Sequence, residues 1–151
     1  MDNTRFFVVE TEEEASSIAD WYEKAISRGS SYCCDLASHL GRGCGIVYRP
    51  YQMDSCLVGQ WIEGVFVVSH FAPKNRKEGV ALLIEAYASD TPFVVCVPEN
   101  LAKQLARLGF THKGEIPQWF DGEQIMKQVM VNRSTTDQHL ITLLNYYQNN
   151  Y

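Results

Sequence analysis

The chain has 151 residues, a size that suits one ordinary globular domain able to bury most of its apolar surface. Hydrophobic residues make up 46% and charged residues 21%, which excludes a wholly disordered chain. A net charge of -5 argues against broad, non-specific contact with nucleic acid or an acidic membrane, while leaving room for a local basic groove.

The chain opens with a β-prone run, Phe6 to Val9, followed by an acidic segment. Thr11 and Glu14 have capping-box spacing, so a helix is expected to begin there. Ala15, Ile18, Ala19, Tyr22, Ala25 and Ile26 then recur at helical spacing up to Gly29. Ser30 or Ser31 can cap a second helix carrying Cys34, Leu36, Ala37 and Leu40, which Gly41 and Gly43 close. After those glycines the period changes. Gly45 to Tyr48, Cys56 to Trp61 and Val65 to Ala72 read as three strands, with a loop containing Pro50 and a turn at Glu63-Gly64.

A polar, basic loop from Pro73 to Glu78 then reaches Gly79 and an apolar helix over Val80 to Ala88. Phe93 to Val97 is a continuous apolar run, as in a strand buried on both faces. Asn100 is the expected cap of a helix over Leu101 to Leu108, ended by Gly109. Two further strands follow, around Phe110 to Ile116 and Ile125 to Val131, with Asp121-Gly122 as the turn between them. The tail from Asn132 to Tyr151 carries a helix with Leu140, Ile141, Leu143, Leu144 and Tyr147, whose apolar stripe packs on its own domain or on a partner chain. The pattern describes an α/β fold: a mixed central sheet flanked by helices, with an extra C-terminal helix.

The five cysteines (33, 34, 44, 56 and 96) form no C-x-x-C pair and are odd in number, so neither a structural zinc site nor a disulfide framework is expected. The first ten residues lack the pattern of a secretory signal, and no apolar run approaches the roughly 20 residues that span a bilayer. A cytoplasmic protein with free thiols and no bound metal is the expectation.

The segment Pro73-Lys74-Asn75-Arg76-Lys77-Glu78-Gly79-Val80-Ala81 carries the chemistry. It joins a strand to a helix, where unpaired amides and the helix dipole favour a phosphate. Lys74, Arg76 and Lys77 add cationic groups, and Gly79 removes a side chain where a ligand would approach. The other reading is an ordinary strand-to-helix loop with solvated charges. The glycine spacing is neither that of a Walker A loop nor that of a dinucleotide fingerprint.

Pro73, Arg76, Gly79 and Ala81 match P-x-x-[RQ]-x-x-G-x-[GA], the acyl-coenzyme A loop of the GNAT superfamily of N-acetyltransferases. With the strand Phe93 to Val97 and the later Leu108-Gly109-Phe110, the chain resembles that family over Phe6 to Val131. The resemblance implies a GNAT-like acyl-CoA-binding domain over residues 1–131, followed by a helical tail over 132–151. Its short, pared-down pattern is similar to that of phage-encoded members, whose place would be the host cytoplasm.

The function so implied is acyl transfer from acetyl-CoA to an amine, on a small molecule or a protein, by direct attack. The coenzyme A pyrophosphate would sit on amides from Lys77 to Ala81 (Lys77, Glu78, Gly79, Val80, Ala81) beside Arg76. The pantetheine arm would run near His70, Phe71 and Ala72, and Asn100 is a loose counterpart of the family's asparagine. Leu105 stands where many members carry a catalytic tyrosine. Glu63 and His70 are the candidate proton-transfer groups in its place. Each has a plainer reading: an exposed turn carboxylate for Glu63, and a packed histidine for His70. Trp21, Trp119 and Phe120 are either pocket walls or packing. The competing function is a catalytically silent GNAT-like module that binds a protein, and the tail helix offers a homodimer contact.

Overall fold

The computed structural model describes residues 6–26, 46–50, 52–120 and 122–150. The expected second helix, with Cys33, Cys34 and Cys44, lies outside the described residues, as does Asp121 of the expected turn.

The α/β class holds. Seven strands are ordered β1-β2-β3-β4-β5-β7-β6: β1 Phe6–Val8, β2 Ile46–Tyr48, β3 Cys56–Ile62, β4 Val65–Ala72, β5 Phe93–Val97, β6 Thr111–Phe120 and β7 Glu123–Val131. Among the described residues there are four helices: α1 Glu12–Ile26, α2 Arg76–Ala88, α3 Glu99–Arg107 and α4 Asp137–Asn150. Pairing is antiparallel for β1/β2, β2/β3, β5/β7 and β6/β7, and parallel for β4/β5, where Phe66, Val67 and Val68 face Phe93, Val94 and Val95. The parallel pair follows from the α2 crossover between them. β6 ends the strand order, which is where a strand containing Pro117 can be tolerated.

The chain forms two compact units. The first comprises residues 1–60 and 69–82. Thr11 caps α1, its Oγ1 accepting from the Glu14 amide at 3.2 Å, so the spacing read from sequence is the one used. The 3.6-residue period then places Ala15, Ile18, Ala19 and Tyr22 of α1 against Val47, Cys56, Val58 and Ala72, with Trp21 partly buried beside them. Ile18, Val47 and Val58 each contribute roughly 1.5–3 kcal/mol when fully buried.

The second unit comprises residues 61–68 and 83–151. Ile62, Val65, Val94, Val131 and Leu143 form its buried cluster, with Leu140 and Tyr146 of α4 packed on it. One face of the tail helix therefore belongs to its own chain. Ile141, Leu144 and Tyr147 lie on the exposed face.

Asn132 ties this unit together. Its Nδ2 donates to the carbonyls of Ala86 at 2.9 Å and Thr91 at 2.8 Å, while its Oδ1 accepts from the Phe93 amide at 3.0 Å and the Thr135 hydroxyl at 2.8 Å. Arg133 adds hydrogen bonds to the Ala88 carbonyl at the end of α2 and an ion pair with Asp90. No helix of the described residues is long and apolar enough to cross a membrane.

Three local expectations shift. α2 begins at Arg76 and not at Val80, because Asn75 caps it: its Oδ1 accepts from the Glu78 amide at 2.9 Å. α3 begins at Glu99, with Pro98 at the N-cap position (φ -61°, ψ 159°) and no side-chain cap bond. Asn100 is therefore inside the helix and is not its cap. β6 runs on from Ile116 to Phe120 along β7, with a register shift between His112 and Gly114.

Candidate functional site

The loop singled out in the sequence lies wholly in the first unit, at the end of β4 and the start of α2. Asn75 satisfies the Glu78 amide with its side chain, and its own carbonyl accepts from the Gly79 amide at 2.9 Å. Val80 and Ala81 lie far enough into α2 for their amides to bond one turn back. The amides of Arg76 and Lys77, the first two residues of α2, have no intrahelical acceptor by the geometry of an α-helix. Both side chains are exposed, so two cations and two amides without an intrahelical acceptor share the positive end of the helix dipole.

A second segment braces this turn. The Glu78 Oε1 accepts hydrogen bonds from the backbone amides of Asp54 at 2.9 Å and Ser55 at 2.6 Å. Ser55 Oγ in turn accepts from the Lys74 amide at 2.7 Å, and Lys74 Nζ pairs with Asp54 Oδ2 at 2.7 Å. Burial works against the Glu78 charge, but the hydrogen bonds from Ser55 and Asp54 outweigh it and hold the carboxyl below the usual glutamate range. The hydrogen bond and charge of Asp54 push the Lys74 ammonium above its ordinary value.

Glu78 stays ionised, with its carboxylate oxygen turned onto the amides of Asp54 and Ser55. Lys74 is committed to Asp54. Arg76 and Lys77 are the exposed cations at the first turn of α2.

Gly79 is buried, and the reason is internal. A Cβ placed there would stand 2.7 Å from Pro73 Cβ and 3.2 Å from Phe71 Cζ, so the loop folds over the helix only because the side chain is missing. Ala72 is fully buried at the end of β4, Val80 is exposed and Ala81 is half-buried. These residues fit a diphosphate at the first turn of α2, with the glycine setting the loop's path.

His70 lies one residue before Phe71 on β4, also in the first unit. Its ring meets Tyr22 of α1 edge-on, with centroids 4.7 Å apart at 77°, and its Nδ1 lies 2.8 Å from Ser69 Oγ. Glu63 belongs to the second unit, in the exposed turn between β3 and β4. Its φ of 51° and the 81° of Gly64 place both turn residues in the left-handed region, as a two-residue type I′ turn requires. Asn100 is exposed on α3 and lines a shallow polar groove with Lys103, Gln104 and Arg107, also in the second unit.

The Leu108-Gly109-Phe110 ending serves packing. Phe110 is buried, and its amide donates to the Leu105 carbonyl at 3.1 Å. Gly109 adopts φ 110°, and a Cβ there would stand 2.8 Å from Tyr87 Cζ. Leu105 is fully buried, so the position of the family's tyrosine is core in this chain. Cys96 is largely buried, and burial pushes its thiol up to about 11 despite the opposing charge of Lys127. The side chains of Trp119 and Phe120 lie outside those described.

Sequence reading missed Asp54, Ser55 and Asn75. Asn75 was legible, because an Asn three residues before a Glu is a capping pattern. Asp54 and Ser55 lie some twenty residues upstream and carry no local signal of their pairing with Glu78.

No family model and no curated protein matches this chain. Among solved structures it is similar to one described as the GCN5-related N-acetyltransferase: aminotransferase, class II, from Rhodopseudomonas palustris. The two share 14% identity over 81% of this chain and 86% of that one, with a TM-score of 0.44. A likeness that distant says nothing of a phage source, and the functional reading rests on the geometry of the loop.

Proposed function

We propose that this chain is an acyl-coenzyme A-dependent N-acyltransferase of GNAT type, with acetyl-CoA as the donor and an amine as the acceptor. The observation that carries the reading is the start of α2. Arg76 and Lys77 are exposed cations whose own amides have no intrahelical acceptor, while the nearby carboxylate of Glu78 is bound by the amides of Asp54 and Ser55.

Bound at that turn, the donor would supply an activated acyl thioester. Arg76 and Lys77 would hold its diphosphate with their amides and side chains. The β4 backbone at Phe71 and Ala72 would lie beside the pantetheine arm. His70 would take the proton from the attacking ammonium. Such a protein would act in the cytoplasm.

A silent, protein-binding member is the second reading. It is favoured by Leu105, a wholly buried side chain that cannot donate a proton, at the position where the resemblance implies a tyrosine.

The test is acceptor-dependent release of coenzyme A from acetyl-CoA over a panel of small amines and lysine peptides. Turnover that falls about 100-fold or more in His70→Ala would support catalysis by this residue. Tight acetyl-CoA binding without turnover for any acceptor would favour the silent reading.

A further inference from the structure

Two hydrogen bonds around Ser69 bear on where the proton of His70 resides. Ser69 Oγ lies 3.1 Å from the Val58 carbonyl oxygen and 2.8 Å from His70 Nδ1. A carbonyl oxygen only accepts, and a serine hydroxyl has one proton to give. If both bonds form together, that proton goes to Val58 and Oγ must accept from Nδ1. The neutral ring then carries its hydrogen on Nδ1, and its lone pair sits on Nε2.

We propose that Ser69 is a positioning residue that holds His70 in the Nδ1–H tautomer, making Nε2 the basic nitrogen. The catalytic meaning of that assignment rests on the acyltransferase reading above; the tautomer itself does not. Free imidazole side chains favour the opposite tautomer, with the proton on Nε2, so the arrangement requires a dedicated acceptor at Nδ1. Ser69 supplies it from the adjacent position on β4, and Val58 of β3 orients the hydroxyl by taking its proton. Tyr22 packs edge-on to the ring, limiting its rotation away from this pairing. Balance is kept in the proton step: Nε2 takes one proton from the acceptor ammonium, the ring becomes an imidazolium, and Nδ1 keeps its hydrogen on Ser69 throughout.

The experiment is long-range proton–nitrogen correlation on protein labelled with 15N-histidine, at a pH where His70 is neutral. His70→Gln assigns its signals among the four histidines. The expected result is a protonated Nδ1 in the wild type, a shift toward protonated Nε2 in Ser69→Ala, and retention of the wild-type pattern in Ser69→Thr, which keeps the hydroxyl. Ser69 is exposed, so neither change removes a core contact. A wild-type His70 protonated on Nε2, or a Ser69→Ala protein with an unchanged pattern, would overturn the proposal. With an acceptor in hand, Ser69→Ala should lower kcat about tenfold or more while leaving the KM for acetyl-CoA unchanged. Absence of acyl transfer alongside the Nδ1–H signature would overturn the acyltransferase reading and leave the role of Ser69 supported.

Discussion

Gly79 and Pro73 are in contact through an absent side chain: a Cβ on Gly79 would stand 2.7 Å from Pro73 Cβ, well inside any tolerated separation. The glycine of this strand-to-helix loop is therefore a folding requirement, whatever the loop binds. Gly79→Ala gains about 1 kcal/mol of helix propensity. It also forces the Pro73 ring and the loop to move, an overpacking cost of about 1–3 kcal/mol. The expected outcome is a protein less stable than the wild type in urea, with weakened acetyl-CoA binding. A variant as stable as the wild type with full affinity would show that the loop gives way freely.

Glu78 should make stability acid-sensitive. Its folded-state acidity is stronger than that of a free glutamate, so its contribution is complete above the ordinary value of 4.5 and is lost as pH falls through the lower folded value. Glu78→Gln removes that dependence while keeping an acceptor oxygen for the amides of Asp54 and Ser55. Thermal melts from neutral to acid pH should show the two proteins converging as pH falls. Glu78→Ala strands the buried Ser55 amide and should cost about 1–3 kcal/mol at neutral pH.

The legibility of this chain follows the range of its interactions. Strand and helix periods are local, so the run from Val65 to Ala72 and the stripe of α1 could be read from residue order. The capping pair Thr11 and Glu14 was equally local. The start of α2 was misplaced because the basic run Arg76-Lys77 reads as loop until Asn75 is recognised as a cap. The brace from Glu78 to Asp54 and Ser55 joins residues more than twenty apart, and only the fold brings them together. The roles of Gly79 and Gly109 could be guessed as backbone features, but the packing partners Pro73 and Tyr87 could not.

Asn132 should be one of the costliest single positions in the second unit. Asn132→Asp keeps the oxygen that serves Phe93 and Thr135 but replaces the donor to Ala86 and Thr91 with a carboxylate facing carbonyls. A loss of about 3 kcal/mol or more at neutral pH is expected from urea denaturation, with partial recovery in acid as the carboxylate takes a proton. A loss under about 1 kcal/mol would mean that the network relaxes around the change.

The thiols of Cys56 and Cys96 should be inert in the folded protein. Burial pushes Cys56 up to about 12, with Arg49 opposing, and Cys96 to about 11. Peptide mapping after iodoacetamide treatment at mildly alkaline pH should find neither modified until denaturant is added. Rapid labelling of Cys96 in the native state would contradict its burial.

The first turn of α2 is expected to bind the diphosphate of an acyl-coenzyme A. Calorimetric titration with acetyl-CoA tests it directly, comparing the wild type with Arg76→Ala/Lys77→Ala, whose replaced side chains are exposed and support no core contact. The expected result is saturable binding by the wild type and an affinity about tenfold weaker or worse in the variant, a loss of about 1.4 kcal/mol. Folded wild-type protein that does not bind acetyl-CoA, or a variant that binds it equally well, would contradict the claim.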